Sequence, residues 1–181
     1  MKKFELTAES KINIFGKKLF RIKALISFGD VEEGETGGWI EKEENLEQSS
    51  GDAWVYGDAE VYGNARVSGD ARVSGDAWVY GNARVSGDAW VYGNARVSGN
   101  AEVYGNADYT TIHGFGTQFR TTTFFQCEDK QIRVSCGCFL GTIPEFREQV
   151  KNTREGKIAE EYLMIADLME KHFVKEKESG E

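Results

Sequence analysis

The chain has 181 residues, 40% of them apolar, and a formal charge of -8. A wholly disordered polymer is excluded by that apolar content, and bulk nucleic-acid binding is disfavoured because counterion release needs a basic face. No apolar run reaches the roughly 20 residues of a membrane span, and MKKFELTAESK has no apolar stretch behind its lysines to act as a signal peptide, so a cytoplasmic protein without a membrane partner is expected.

Residues 1–50 read as a small β cap. FELTAES and LFRIKALISF flank Phe15-Gly16-Lys17, a plausible hairpin turn. From Gly37-Gly38-Trp39-Ile40 onward, Ile40 and Leu46 keep a six-residue spacing that slips by three before Val55. That pattern suits an imperfect first coil closing the end of a solenoid.

From Gly51 to Thr110 the chain is ten uninterrupted hexads of the form Gly-(Asp/Asn)-Ala-x-Val-(Tyr/Ser), with Tyr109 replacing valine in the last. Ala and Val are two apart and so share one side of an extended segment, while Gly followed by Asp or Asn suits a corner. This period resembles the left-handed parallel β-helix of the hexapeptide-repeat family. Three hexads then form one triangular coil, and successive coils rise by about 4.8 Å. Inward Val and Ala fill the prism, which leaves function to the outside or the ends.

A three-hexad period sorts the outward residues into faces. The first carries Trp54, Arg72, Trp90 and Asp108 beside Tyr56, Ser74, Tyr92 and Thr110; the second carries Glu60, Trp78 and Arg96 beside Tyr62, Tyr80 and Ser98; the third carries Arg66, Arg84 and Glu102 beside Ser68, Ser86 and Tyr104. Exposed aromatics at this density mark a buried contact. Trp54, Tyr56, Trp78, Tyr80, Trp90 and Tyr92 are therefore expected at an oligomer interface, and a homotrimer is common in the family the repeat resembles. The alternative use of these rings is an aromatic ladder that stiffens the coils.

Residues 111–181 change character. QFRTTTFFQ (118–126) and QIRVSCGCF (131–139) read as a hairpin, Thr142 and Glu145 have the form of a capping box with Pro144 in the first turn, and two amphipathic helices follow, broken near Gly156. The fold class is thus mainly β, a left-handed parallel β-helix (51–110) with an N-terminal β cap and a C-terminal ββαα module. KEKESGE at the end reads as a solvated tail.

The strongest ligand-binding candidate is the junction holding His113, Gly114, Phe115, Gly116, Arg120, Thr121, Thr122 and Thr123. Its glycines can bring backbone amides near an anion, Arg120 can pair with it, the threonines can donate hydrogen bonds, and Phe115 or Phe119 can stack on a base. Cys127, Cys136 and Cys138 are odd in number and lack zinc spacing, so reduced, packed thiols are expected, with no metal and no cofactor. His113 is the one histidine near the helix that an acyltransferase could use as a base; no loop shapes an acceptor pocket, and no catalytic residue is assigned. His172, beside Met169 and Phe173, reads as surface or packing.

KFELTAES, LFRIKALISFGDVEEGETGGWIEKEENL, GDAWVYGNARVSG and TTTFFQCEDKQIRVSCGCFLGTIPEF together are similar to a group of hexapeptide-repeat proteins from bacteriophages and prophages. The resemblance implies a phage accessory protein in a host cytoplasm. By analogy with such proteins, the expected function is non-enzymatic: sequestering a nucleotide-like signal at intersubunit sites, or blocking a host defence protein. A structural scaffold and a hexapeptide-type acyltransferase are the alternatives.

Overall fold

Each of the first nine hexads folds as a two-residue strand and a corner. A computed structural model describes residues 2–173, so the KEKESGE tail lies outside the described residues. In chain order come β1 (Phe4–Ile12), β2 (Lys18–Ala24), β3 (Thr36–Ile40), β4 (Trp54–Val55), β5 (Glu60–Val61), β6 (Arg66–Val67), β7 (Arg72–Val73), β8 (Trp78–Val79), β9 (Arg84–Val85), β10 (Trp90–Val91), β11 (Arg96–Val97) and β12 (Glu102–Val103). Parallel pairing stacks β4, β7 and β10 on one face, β5, β8 and β11 on the second, and β6, β9 and β12 on the third. Trp54 lies over Arg72 and Trp90, Glu60 over Trp78 and Arg96, and Arg66 over Arg84 and Glu102. The faces are those the three-hexad period gives, and the chain forms a three-sided β-solenoid.

The Ala and Val of these coils, from Ala53 to Val103, are buried against one another. A fully buried valine stabilises by about 1.5–3 kcal/mol relative to exposure, so the stack itself is the main cohesive element. Gly75 represents the corners: its φ is +68, and a Cβ there would stand 3.0 Å from the Gly93 amide nitrogen of the next coil. Both the left-handed backbone and the close coil spacing call for glycine.

The first coil departs from the rest. Ile40 pairs with Val61 and Leu46 bridges Val67, whereas later coils repeat at a separation of 18 residues, as the Asn64–Asn82 contact does. The extra residues leave two carbonyls without their usual backbone donors. In the coils below, Asn64 N donates to Gly81 O and Arg66 N to Ala83 O. Here the wholly buried Asn45 substitutes with its side chain, donating Nδ2 to Gly63 O at 3.2 Å and to Ala65 O at 2.8 Å while Oδ1 accepts from Lys42 N.

The N-terminal hairpin forms as expected, with Phe15-Gly16-Lys17 in the turn. Strand β2 pairs antiparallel with β3 and so extends the second face. Phe4, Ile22 and Val31 close the end of the coil stack. The hairpin tip then folds along the second face. Asn13 donates to the buried Glu60 carboxylate at 3.2 Å, Lys11 ion-pairs with the same group at 2.9 Å, and the Phe15 ring lies 5.8 Å from Trp78 and 6.2 Å from Tyr80.

The tenth hexad leaves the solenoid. Asn106–Asp108 makes a 3-10 turn in which the Asp108 carboxylate accepts from Tyr104 N and Gly105 N, and β13 (Tyr109–Phe115) then runs out of the coil. It pairs with β14 (Arg120–Gln126), followed by β15 (Ile132–Cys136) and β16 (Phe139–Thr142), all antiparallel. The module thus holds four strands where the sequence suggested a hairpin, because the last hexad and the residues after Gly137 also enter the sheet. Helices α1 (Ile143–Thr153) and α2 (Gly156–His172) follow, and Thr142 and Glu145 make the expected reciprocal cap. No helix among the described residues is long and apolar enough to cross a membrane.

Strand β14 is covered on both sides. Phe125 and Cys127, with Tyr109, complete the solenoid core, while Phe124 packs with Val134, Phe146, Tyr162 and Ile165 under the helices. Ala101 bridges Cys127, and Glu128 N donates to Asn100 O. Both ends of the coil stack are therefore occupied by the chain's own elements, which opposes growth coil on coil.

Candidate functional site

The outward aromatics divide into three environments. Trp54, expected on a face available to a partner, is 0% exposed, enclosed by Phe28 and Phe4 with ring centroids 5.5 and 6.1 Å away. It is a core residue, because the β cap that the sequence placed on the solenoid end also wraps this face. Tyr56 is half-buried and donates its hydroxyl to Asp30 at 3.0 Å; burial, then that hydrogen bond, push its pKa up to about 12. Trp78 and Tyr80 are part of the chain's own ladder: Tyr80 stacks on Tyr62 at 5.1 Å under Phe15, and Arg96 lies 4.4 Å from the Trp78 ring. The far end of the first face stays open, with Trp90 49% and Tyr92 57% exposed, as does Tyr104 alone on the third face at 47%.

Trp90 and Tyr92 border a groove of about 690 Å³ between the last coil and the start of β13, shared with Ser74, Asn106, Thr110 and Thr111. Trp90 is held rigidly. Its indole N–H donates to Ser74 Oγ at 3.0 Å, its amide donates to Asn106 Oδ1 at 2.8 Å, and its carbonyl accepts from the Tyr109 hydroxyl. Burial pushes the Tyr109 phenol up to about 12, so it remains a neutral donor. Tyr92 stands 5.7 Å from Trp90 at 58°, which gives the groove two ring faces at an angle. The volume falls within the range of small-molecule sites, and the lining is aromatic and hydroxyl- or amide-bearing, without a carboxylate, ammonium or guanidinium.

The junction residues do not form one site. Strand alternation puts His113, Thr121 and Thr123 on the solenoid side of the β13–β14 pair: His113 Nδ1 is 3.2 Å from Thr121 Oγ1, and Thr123 Oγ1 accepts from Arg96 N. Arg120, Thr122 and Phe115 lie on the helix side, where Thr122 donates to Cys136 Sγ at 3.2 Å and Phe115 packs with the module core. Phe115 is thus not free to stack on a base, whereas the other ring of the junction, Phe119, is 65% exposed. Gly114 and Gly116 flank it at the hairpin tip; a Cβ at Gly116 would stand 2.6 Å from the Tyr162 hydroxyl, so this glycine admits α2 rather than an anion. None of the eight lines the Trp90 groove.

Cys127 is set apart from the other two cysteines. Cys136 ends β15, Cys138 lies beyond the turn at Gly137, and Cys127 sits in the solenoid core, where burial pushes its thiol up to about 11. The two thiols of Cys136-Gly137-Cys138 therefore do not share one side of a strand, because Gly137 has φ +62 and turns the chain. Among the described residues no three His, Cys, Asp or Glu side chains gather as metal ligands. His172 rests edge-on against Phe173 at 5.1 Å.

With the coils and the groove in view, the fold defines a β-solenoid protein carrying an added C-terminal module. The family model of the YdcK beta solenoid repeat matches residues 59–75, 65–80, 77–93 and 89–105. That similarity covers residues 59–105 of the coils and includes Trp90 and Tyr92, but not Trp54, Tyr56 or the flanking segments. No curated protein matches the chain.

The hexad pattern assigns Trp90 and Tyr92 to an interface and puts Thr110 in the column of Tyr92, but misses Asn106 and Thr111 as their neighbours. The signal for them is the break at Tyr109, the one hexad without its valine.

Proposed function

We propose that this protein is a non-enzymatic binding protein whose solenoid rigidly presents the Trp90–Tyr92 groove to a nucleoside-like ring. The observation that carries the reading is the fixed Trp90 indole beside a groove lined by hydroxyl and amide groups. A flat base gains from stacking on an indole or phenol face, and ribose hydroxyls match Thr110, Thr111 and the Asn106 amide. His113, the acyltransferase candidate, is outside the groove.

The proposal extends to a homotrimer in which a neighbouring copy closes each groove over its ligand, burying the exposed Trp90 and Tyr92. In a phage setting, which rests on the flanking-sequence resemblance, such an assembly in the host cytoplasm would sequester a nucleotide signal of bacterial immunity. Blocking of a host defence protein is the second reading, favoured by the same exposed rings.

Isothermal titration with a panel of nucleosides and nucleotides tests the ligand. One stacking contact is worth about 1–3 kcal/mol, so Trp90→Ala is expected to weaken binding about 5- to 150-fold. No heat from any member of the panel, or equal binding by the variant, would contradict the reading. Light scattering after size exclusion tests the assembly, with a trimer expected and a monomer at micromolar concentration against it.

A further inference from the structure

A second cavity, on the opposite side of β14 from the solenoid, has different chemistry. It lies between the end of β15 and the two helices, measures about 180 Å³, and is lined by Arg120, Cys136, Cys138, Gln149, Arg154 and Tyr162 among others. A phosphate with a short appendage fits a space of this size.

Charge is the distinguishing feature. In a chain of net charge -8, two guanidinium groups border one small cavity that no carboxylate lines. Arg147, on the same helix α1, is paired with Asp167 at 2.7 Å and Glu170 at 2.6 Å. Arg120 and Arg154, by contrast, have no carboxylate within ion-pair distance among the described residues; Arg154 Nη1 donates to Thr153 O at 2.9 Å.

The cavity wall is shaped around Arg120. Arg120 Nη1 lies against the Cys136-Gly137-Cys138 turn, where a Cβ at Gly137 would stand 2.5 Å from it; the φ of +62 there already calls for glycine. Tyr162 donates its hydroxyl to Phe115 O at 3.2 Å. Burial raises the pKa of this phenol against the pull of Arg154 and Arg120, which places both cations within electrostatic reach of one hydroxyl.

We propose that the cavity between Arg120 and Arg154 binds a phosphoryl group, either inorganic phosphate or the terminal group of a small phosphomonoester. Two guanidiniums present several N–H donors in rigid planes, suited to a dianion with three acceptor oxygens, and Gln149 adds an amide donor. Carboxylates match this set less well because they carry one charge and two oxygens. Cys138 is exposed at the rim and reports occupancy by its access to alkylating reagents. The site does not depend on the Trp90 groove.

Inorganic phosphate, phenyl phosphate and acetate are titrated into the full chain by calorimetry, with iodoacetamide labelling of Cys138 followed by mass spectrometry in parallel. The expected result is phosphate binding that slows labelling, falls with rising salt, and weakens about tenfold or more in Arg120→Gln and in Arg154→Gln. Arg120→Lys, which keeps the charge, is expected to lie between parent and Arg120→Gln, and Trp90→Ala is expected to bind as the parent does. Tighter binding of phenyl phosphate assigns the site to a phosphomonoester, and tighter binding of phosphate assigns it to the free ion. Equal affinity for acetate, no binding at millimolar phosphate, or unchanged binding in both glutamine variants would overturn the proposal.

Discussion

Replacing Trp54 with alanine is expected to cost about 3–5 kcal/mol of folding free energy. The side chain is 0% exposed and fills the end of the coil stack between Phe28 and Phe4, so truncation leaves a cavity that short, mutually hydrogen-bonded coils cannot collapse to fill. Urea denaturation monitored by circular dichroism measures the loss. Trp90 occupies the same column two coils away and is half open to solvent. Its alanine variant is expected to stay within about 1 kcal/mol of the parent. Comparable losses at the two positions would mean that both tryptophans serve the core.

The second large effect belongs to Asn45. Its amide group supplies two hydrogen bonds that backbone supplies in later coils. Asn45→Leu keeps the branched side chain of four heavy atoms but strands the buried carbonyl of Ala65 and the part-buried carbonyl of Gly63. At about 1–3 kcal/mol per unsatisfied group, the loss should reach about 2–6 kcal/mol. Hydrogen exchange would localise it, with faster exchange in the first coil and unchanged exchange in β11 and β12. A loss below about 1 kcal/mol would show that the first coil satisfies those carbonyls in another way.

The two positions mark how far the sequence is legible. A six-residue period with Ala and Val two apart specifies the coils and the register of Trp54 over Arg72 and Trp90, because alternation and stacking are local rules. It also exposes the slip before Val55. Asn45 as the compensating donor is not legible, since its partners lie in the next coil and only the folded backbone shows which carbonyls are orphaned. The hairpin turn at Phe15 is a local signal. That its tip returns over Trp78 and Tyr80 is a long-range contact with no periodic signature, and so the covered rings of the second face read from sequence as free.

At the junction, sequence proximity is a misleading guide. Thr121, Thr122 and Thr123 are adjacent in the chain, but a strand points neighbours to opposite sides, and β14 is buried on both. Counting by two from Phe124 separates Arg120 and Thr122 from Thr121 and Thr123 by strand alternation alone. The grouping of Arg120 with Arg154 is not accessible in that way. It depends on where α1 ends relative to the sheet, which is set by Phe146, Val150 and Tyr162 packing on Phe124.

The central claim is that the first face divides between a structural tryptophan at one end and a ligand platform at the other. The four tryptophans, Trp39, Trp54, Trp78 and Trp90, each give one indole N–H resonance. Titration of the best-binding nucleoside into isotope-labelled protein should move the Trp90 indole signal and the amides of Thr110 and Thr111, leaving Trp54 in place. A saturating ligand that leaves the Trp90 signal unmoved would contradict the account.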